Sequence, residues 1–186
     1  MIAAEETVLV LLAAGKSLRF GGSKLDAMLG ERPLGLHVAN TLAAIPFARR
    51  IAVTGRCRID YSAHGYATVV NDDPVGDMAS SLRLGVAAAG DAAAVLVVLA
   101  DMPRVSAAHI RRLLDAADGA EAIVASSDGG APRPPALFGS AWFESLATIT
   151  GDHGARDLIR SGRQVAAPPG VLVDIDTPED LQRLAC

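Results

Sequence analysis

Cysteine is scarce in this chain of 186 residues: Cys57 and Cys186 stand alone, far apart and outside any C-x-x-C pattern. Two such residues support neither a disulfide framework nor a structural zinc site, and a reducing cytoplasm suits them. Positive charge is also in short supply. The net charge is −4 with 20 % charged residues, so a broad basic surface for nucleic acid is not expected. Long hydrophobic runs are missing too. The N-terminal one, Val8 to Ala14, is too short to cross a bilayer, and Glu5 and Glu6 precede it where an export signal carries basic residues. What the chain does have is apolar material in short pieces. At 51 % hydrophobic residues it can fill one core, and a single domain over residues 1–186 is expected. With no coiled-coil or repeat pattern, the expected state is a monomer.

Short apolar runs alternate with longer amphipathic ones, the pattern of a mostly parallel sheet with helices on both faces. The strands predicted are 7–13, 50–55, 66–71, 93–100, 121–127 and 171–176. Helices are predicted over 33–45, 79–89 and 107–117, the last capped by Ser106. Thr177-Pro178-Glu179-Asp180 reads as an N-cap, a proline at the first helical position and acids in the first turn. The segment 127–140, with three prolines and three glycines, predicts an irregular loop leading into a short extended piece at "PALF", placed at an antiparallel edge.

In an open sheet of this kind ligands bind beyond the carboxyl ends of the strands. The first such end opens into "LAAGKSLRFGGSK" (12–24). It is not a P-loop, because the first glycine would have to stand at Val10, and not a dinucleotide fingerprint, because Ser17 replaces the second glycine. Glycines with Arg19 and Lys24 still make an anion loop, suited to a polyphosphate. Asp101 ends the apolar run "VVLADMP" and must cap a turn or serve a ligand, since a buried unpaired charge is costly. Asp174 and Asp176, two apart in "DIDTPED", would share one face of a strand, and either could approach Asp101. Two carboxylates with phosphate oxygens suit magnesium, whereas Asp180 reads as a helix cap. The connection 71–85 into the second helix has small residues that admit a nucleobase or ribose. His153 reads as a surface residue, His37 as packing within a helix, and His64 and His109 offer no evident partners. No Ser-His-Asp or Cys-His arrangement stands out.

The opening loop is similar to the L-A-[AG]-G-x-S-x-R-[FM]-G-x-x-K motif of the MobA-like nucleotidyltransferases. The resemblance continues through "PLGLH" (33–37), "ASSLRLG" (79–85), "VVLADMP" (97–103), "PALF" (135–138), "GDHGAR" (151–156) and "DIDTPEDL" (174–181). It implies a three-layer Rossmann-like nucleotidyltransferase fold and Mg2+-dependent transfer of a nucleoside monophosphate. By that resemblance Leu12, Ala13, Ala14 and Gly15 contact base and ribose, Arg19 and Lys24 hold the triphosphate, and Ser81 and Leu82 lie against the nucleoside. Asp101 corresponds to the metal-binding aspartate, and Asp176 or Asp174 to the second metal ligand. The L-A-A-G opening resembles the molybdenum cofactor cytidylyltransferases, whereas L-A-G-G marks the guanylyltransferases. The chain departs from the family at Asp77, where a glycine is common, and at Arg133-Pro134, where a glycine-bearing turn is common.

The reaction so implied is attack by the terminal phosphate of molybdopterin on the α-phosphate of CTP, with loss of pyrophosphate. An ionised phosphate is already a nucleophile, so positioning and charge neutralisation by Arg19, Lys24 and Asp101 suffice without a general base. A molybdoenzyme is the implied recipient of the product. The alternatives are a guanylyltransferase, another NTP:phospho-acceptor transferase of the same fold, and a non-catalytic module that binds and delivers cofactor.

Overall fold

Seven strands assemble into one sheet. The computed structural model describes residues 1–73, 76–151 and 153–185. Pro74 and Val75 in the 71–85 connection, Asp152 and the His153 side chain in "GDHGAR", and Cys186 lie outside the described residues. In chain order the strands are β1 (Thr7–Ala13), a small hairpin of β2 (Met28–Leu29) and β3 (Arg32–Pro33), β4 (Arg49–Thr54), β5 (Ala67–Val70), β6 (Ala94–Leu99), β7 (Ile123–Ser127), β8 (Arg133–Gly139) and β9 (Arg163–Ala166). The helices are α1 (Leu34–Leu42), α2 (Met78–Ala89), α3 (Ala107–Ala116), α4 (Phe143–Ala147), α5 (His153–Ser161) and α6 (Pro178–Ala185).

The sheet order is β5-β4-β1-β6-β8-β7-β9, with β8 antiparallel to both neighbours and every other pairing parallel. β1 lies between β4 and β6, with Val10 opposite Ile51 and Val97, and all seven of its residues are buried. Helices on both faces explain why such a strand reads as an unbroken apolar run. Leu9, Leu11 and Leu96 pack with Val38 and Leu42 of α1 and Ile110 and Leu113 of α3. Val8, Val10 and Val95 pack on the other side with Leu82 and Val86 of α2, Leu146 of α4 and Ile159 of α5. The result is the expected α/β three-layer, Rossmann-like arrangement. α2 sits close to β1 because Gly85 has no side chain there: a Cβ would come within 2.3 Å of Val10 Cγ1.

The capping signals hold. Ser106 Oγ accepts from the His109 amide at 3.2 Å, and Thr177 and Asp180 exchange bonds, Asp180 N to Thr177 Oγ1 at 3.2 Å and Thr177 N to Asp180 Oδ2 at 2.9 Å. This is the reciprocal capping of a helix start, so Asp180 is a cap acid.

Three expectations are corrected. "PALF" is not at an edge: β8 inserts between β6 and β7. A connection of only residues 128–132 turns the chain back on β7, which forces an antiparallel neighbour. The prolines are tolerated because β6 pairs only from Ala136 onward and the β7 register shifts between Ala125 and Ser126. Second, 171–176 is not a strand. Both sides of β6 are already occupied by β1 and β8, so the segment crosses above them, tied by a single backbone bond from Ile175 N to the Asp101 carbonyl at 3.1 Å. Its alternation reflects burial in separate clusters, Leu172 in the main core and Ile175 with Leu29 and Leu34. Third, the last strand of the sheet is β9, a short edge strand with one buried residue, Val165, and too polar to announce itself. The sequence also gave no clear sign of α4 or α5. Among the described residues, no helix is long and apolar enough to cross a membrane.

Candidate active site

The Lys24 side chain is the hinge of the carboxyl edge. Lys24 opens a short 3-10 turn (Lys24–Asp26) after the glycine loop and is only 8 % exposed, which is unusual for an ammonium unless it is paired. Its Nζ lies 2.6 Å from Asp101 Oδ2, 3.1 Å from Asp176 Oδ1 and 2.8 Å from the Ile175 carbonyl. All three donor positions of the ammonium are used. Burial works against its charge, but attraction and hydrogen bonding to Asp101, then Asp176, outweigh that and raise it above the usual lysine value.

Asp101 follows β6, and the Ile175–Asp101 backbone bond brings Asp176 to the same point. Burial pushes the Asp101 carboxyl up, against the pull of Lys24. Its Oδ1 is buried without a hydrogen-bond partner among the described residues. An orphaned carboxylate oxygen is costly unless something else meets it. Asp176 is held from the other side by Arg19, Nη2 to Oδ2 at 2.6 Å. Ahead of these two cations the loop turns through Ser17, a non-glycine residue at φ +52°, whose hydroxyl lies 3.4 Å from the Lys24 amide and accepts from it.

These groups line a cleft of about 510 Å³ together with Leu12, Ala14, Gly15 and Ser81. Ser81 is fixed from below: buried Asn71 donates to Ser80 Oγ at 2.9 Å and Ser81 Oγ at 2.8 Å, and Asp77 caps α2 through the Ser80 amide at 2.7 Å. Asp77 and Asp174 also line the cleft. Thus Leu12, Ala14, Gly15, Arg19, Lys24, Ser81, Asp101, Asp174 and Asp176 all converge. The side chains of Ala13 and Leu82 do not. Both are buried in the core layers, Ala13 on one face and Leu82 on the other. Asn71 is the residue that sequence alone did not single out. Its only signal was a polar residue closing a β-rich run.

The two-carboxylate arrangement differs from the strand-based expectation. Asp174 and Asp176 do not share a strand face, and Asp174 instead stands 3.8 Å from Arg133 while Asp176 engages Lys24. Among the described residues, no group of three or more His, Cys, Asp or Glu is arranged to hold a metal. The oxygen donors present, the free Asp101 Oδ1 and the Asp176 carboxylate, are of the hard kind that magnesium and manganese prefer.

The histidines take supporting parts. His37 Nε2 meets the Leu29 carbonyl at 2.9 Å within α1, as a packing residue would. His64 and His109 do have partners, contrary to expectation: Asn40 Oδ1 at 3.1 Å and Ser126 Oγ at 2.8 Å. Both partners lie far off in sequence, which hid them. Cys57 is a free, half-buried thiol.

Known proteins share this architecture. The purine catabolism protein PucB of Bacillus subtilis is 32 % identical over 190 residues, covering 92 % of each chain. A solved homologue of Rv0371c from Mycobacterium sp. strain JC1 superposes with a TM-score of 0.82 at 27 % identity, over 97 % of this chain and 96 % of that one. Rv0371c of Mycobacterium tuberculosis, solved in complex with manganese, gives 0.76 at 27 % identity, over 100 % and 99 %. The family description that matches residues 9–166 is the MobA-like NTP transferase domain. That match spans most of the chain and the fold agrees with the solved relatives, and the chain belongs to the MobA-like NTP transferase family.

Proposed function

We propose that this protein is a cytidylyltransferase, which moves CMP from CTP to the terminal phosphate of molybdopterin and releases pyrophosphate. The observation that carries the reading is the Lys24 ammonium, 2.6 Å from Asp101 and 3.1 Å from Asp176 inside the cleft that the anion loop borders. A binding module needs cations for phosphate. It does not need a buried carboxylate and a second one beside them. The choice of cytidine rests on the Leu12-Ala13-Ala14-Gly15 opening and is the finer part of the proposal.

Asp101 and Asp176 would hold a divalent ion, whose chemistry when bound is to offset charge on the phosphate oxygens. Manganese in Rv0371c supports a site of that class in the fold. The chain's own residues do the rest. Arg19 and Lys24, now engaged by carboxylates, are positioned to turn toward the triphosphate and steady the charge that builds on departing pyrophosphate. Ser81 and the Leu12–Gly15 backbone orient the nucleoside. No residue has to remove a proton, since the attacking phosphate is already ionised.

The test is pyrophosphate release with magnesium and molybdenum cofactor, comparing CTP, GTP, ATP and UTP, with Asp101→Asn as control. Release with CTP, lost in the variant, is the expected result. A GTP preference would keep the mechanism and replace the base. No release with any of the four would overturn the transferase reading.

A further inference from the structure

The start of α2 carries a donor and an acceptor whose directions are fixed by the network behind them. Asn71 is 8 % exposed, and its Oδ1 accepts from the Asp73 amide at 3.1 Å. A backbone amide can only donate, so the oxygen of the Asn71 side chain faces Asp73 and its NH2 group faces two serines. Both hydroxyls accept from Asn71, Ser80 Oγ at 2.9 Å and Ser81 Oγ at 2.8 Å, and each must place its own proton elsewhere. Ser80 Oγ donates to the Asp77 carbonyl at 2.9 Å. That carbonyl also faces the Ser81 amide and the Ser81 hydroxyl, both at 3.4 Å, which makes three donors for two lone pairs. The Ser81 proton is the surplus one. Ser81 is 4 % exposed and lines the first cleft, so a ligand there is the natural taker of that proton.

Asp77 supplies the acceptor. Its Oδ1 takes the Ser80 amide at 2.7 Å, which holds its carboxyl below the usual range and leaves Oδ2 for another donor. Asp77 stands four positions before Ser81, one helical turn away, and lines the same cleft. A carboxylate repels phosphate, so this wall takes the uncharged part of a nucleotide, and the anionic part falls to Arg19 and Lys24. A second cleft, of about 380 Å³, opens beyond Met78, which lines both. Its walls are α5, the head of β8 and Met102, with three arginines, one carboxylate from Asp174 and no hydroxyl among the described residues, so it cannot offer the same pair.

We infer that Ser81 and Asp77 read the nucleobase, that they select a ring with an amino group beside an unprotonated nitrogen, and that Asn71 is the positioning residue that makes Ser81 a donor. Cytosine presents that edge: its N3 accepts from the Ser81 hydroxyl and its N4 amino group donates to the Asp77 carboxylate. Uracil presents the reverse, an N3–H and the O4 carbonyl, and sets an oxygen against the carboxylate. Guanine is reversed in the same way. Adenine shares the cytosine pattern on a larger ring, so the pair separates amino bases from oxo bases. The inference rests on the nucleotidyl-transfer reading and deepens it, since the choice of cytidine there stood only on the Leu12–Gly15 opening.

The experiment measures calorimetric binding of the α,β-methylene analogues of CTP, UTP and GTP to the full chain with Mg2+ present. The wild type is expected to favour the CTP analogue over the UTP analogue by about tenfold to a hundredfold, the effect of leaving a buried polar pair unmatched. Ser81→Ala should weaken the CTP analogue about tenfold and leave the UTP analogue within about twofold. Asp77→Asn keeps the helix cap but lets an amide turn its NH2 group toward a carbonyl, so the two analogues should bind about equally. Asn71→Ala frees the Ser81 hydroxyl to turn and should lower the CTP-to-UTP ratio. In a Ser81→Ala background the same change should leave the ratio alone, which a merely structural role for Asn71 would not produce. Should Asn71→Ala fail to fold, Ser81→Ala and Asp77→Asn decide the pair by themselves. Equal wild-type affinity for the CTP and UTP analogues would overturn the inference, as would a ratio that neither Ser81→Ala nor Asp77→Asn changes. Equal loss of both analogues in Asp77→Asn would assign the carboxylate to the sugar and overturn it as well. Tightest binding of the GTP analogue, with pyrophosphate released from GTP, would overturn the base pair and uphold the transferase reading. A ratio that responds to these variants in a protein that releases pyrophosphate with no nucleotide would sink the transferase reading and leave the base site standing.

Discussion

The two clefts share a wall and solve opposite problems. In the first, two of the lining cations already have carboxylates: Lys24 has Asp101 and Asp176, and Arg19 has Asp176. In the second, apolar side chains dominate and Arg156 has no carboxylate partner among the described residues. Lys24 and Asp101 are held close and largely out of solvent, where opposite charges attract strongly, while Arg19 and Asp176 stand nearer the mouth, where water weakens their pairing.

The largest expected effect tests that separation directly. Asp101→Asn removes the buried carboxylate and should lower turnover by about 10³-fold or more, the scale of losing a charge-stabilising group in a desolvated site. Circular dichroism should show the fold intact. A variant that turned over at a near-normal rate would remove Asp101 from the chemistry. Lys24→Met is the next most damaging change, costing about 10²-fold in turnover. It also carries a readout of its own. With the ammonium gone, Asp101 and Asp176 lose their shared counter-charge, so Mn2+ measured by calorimetry without nucleotide should bind more tightly than to wild type. Unchanged Mn2+ affinity would mean that Lys24 does not compete for those carboxylates, and the self-neutralised picture of the first cleft would fail.

How much of this was legible in sequence follows the same division. Arg19, Lys24, Asp101 and Ser81 were readable because they sit where a strand ends and a loop or helix begins, and local rules govern such places. Asp176 was identified for the wrong geometric reason. Its approach to Lys24 comes from a backbone bond between Ile175 and Asp101, 74 positions apart by their numbers, and no local pattern encodes it. The second cleft was not legible at all. Its walls are α5 and the head of β8, and β8 was expected at an edge because proline-rich segments usually avoid interior strands. Here the prolines sit beyond the β6 pairing, a fact that only the register shows. Arginines on an exposed helix face look like ordinary solvated charge until the neighbouring loop is folded against them.

The smallest expected effect concerns how the second cleft is held up. His109 of α3 is 1 % exposed, and its Nε2 meets Ser126 Oγ at 2.8 Å, which in turn donates to the Pro135 carbonyl at 2.7 Å. With the hydroxyl proton directed to Pro135, Nε2 is the donor and the buried Nδ1 is left without a partner. Burial, and secondarily the nearby Arg112, lowers the His109 pKa below its ordinary 6.5. The unfolded chain therefore binds this proton more readily than the folded one. Stability is complete above pH 6.5 and declines as pH falls from 6.5 toward the lower folded value. His109→Gln retains a donor for Ser126 and removes the titration. Thermal melts at pH 7.5 and 5.5 should then show a smaller acid-induced drop in the variant than in wild type. If the variant shows the same acid-induced drop as the wild type, His109 is not the group whose titration costs stability.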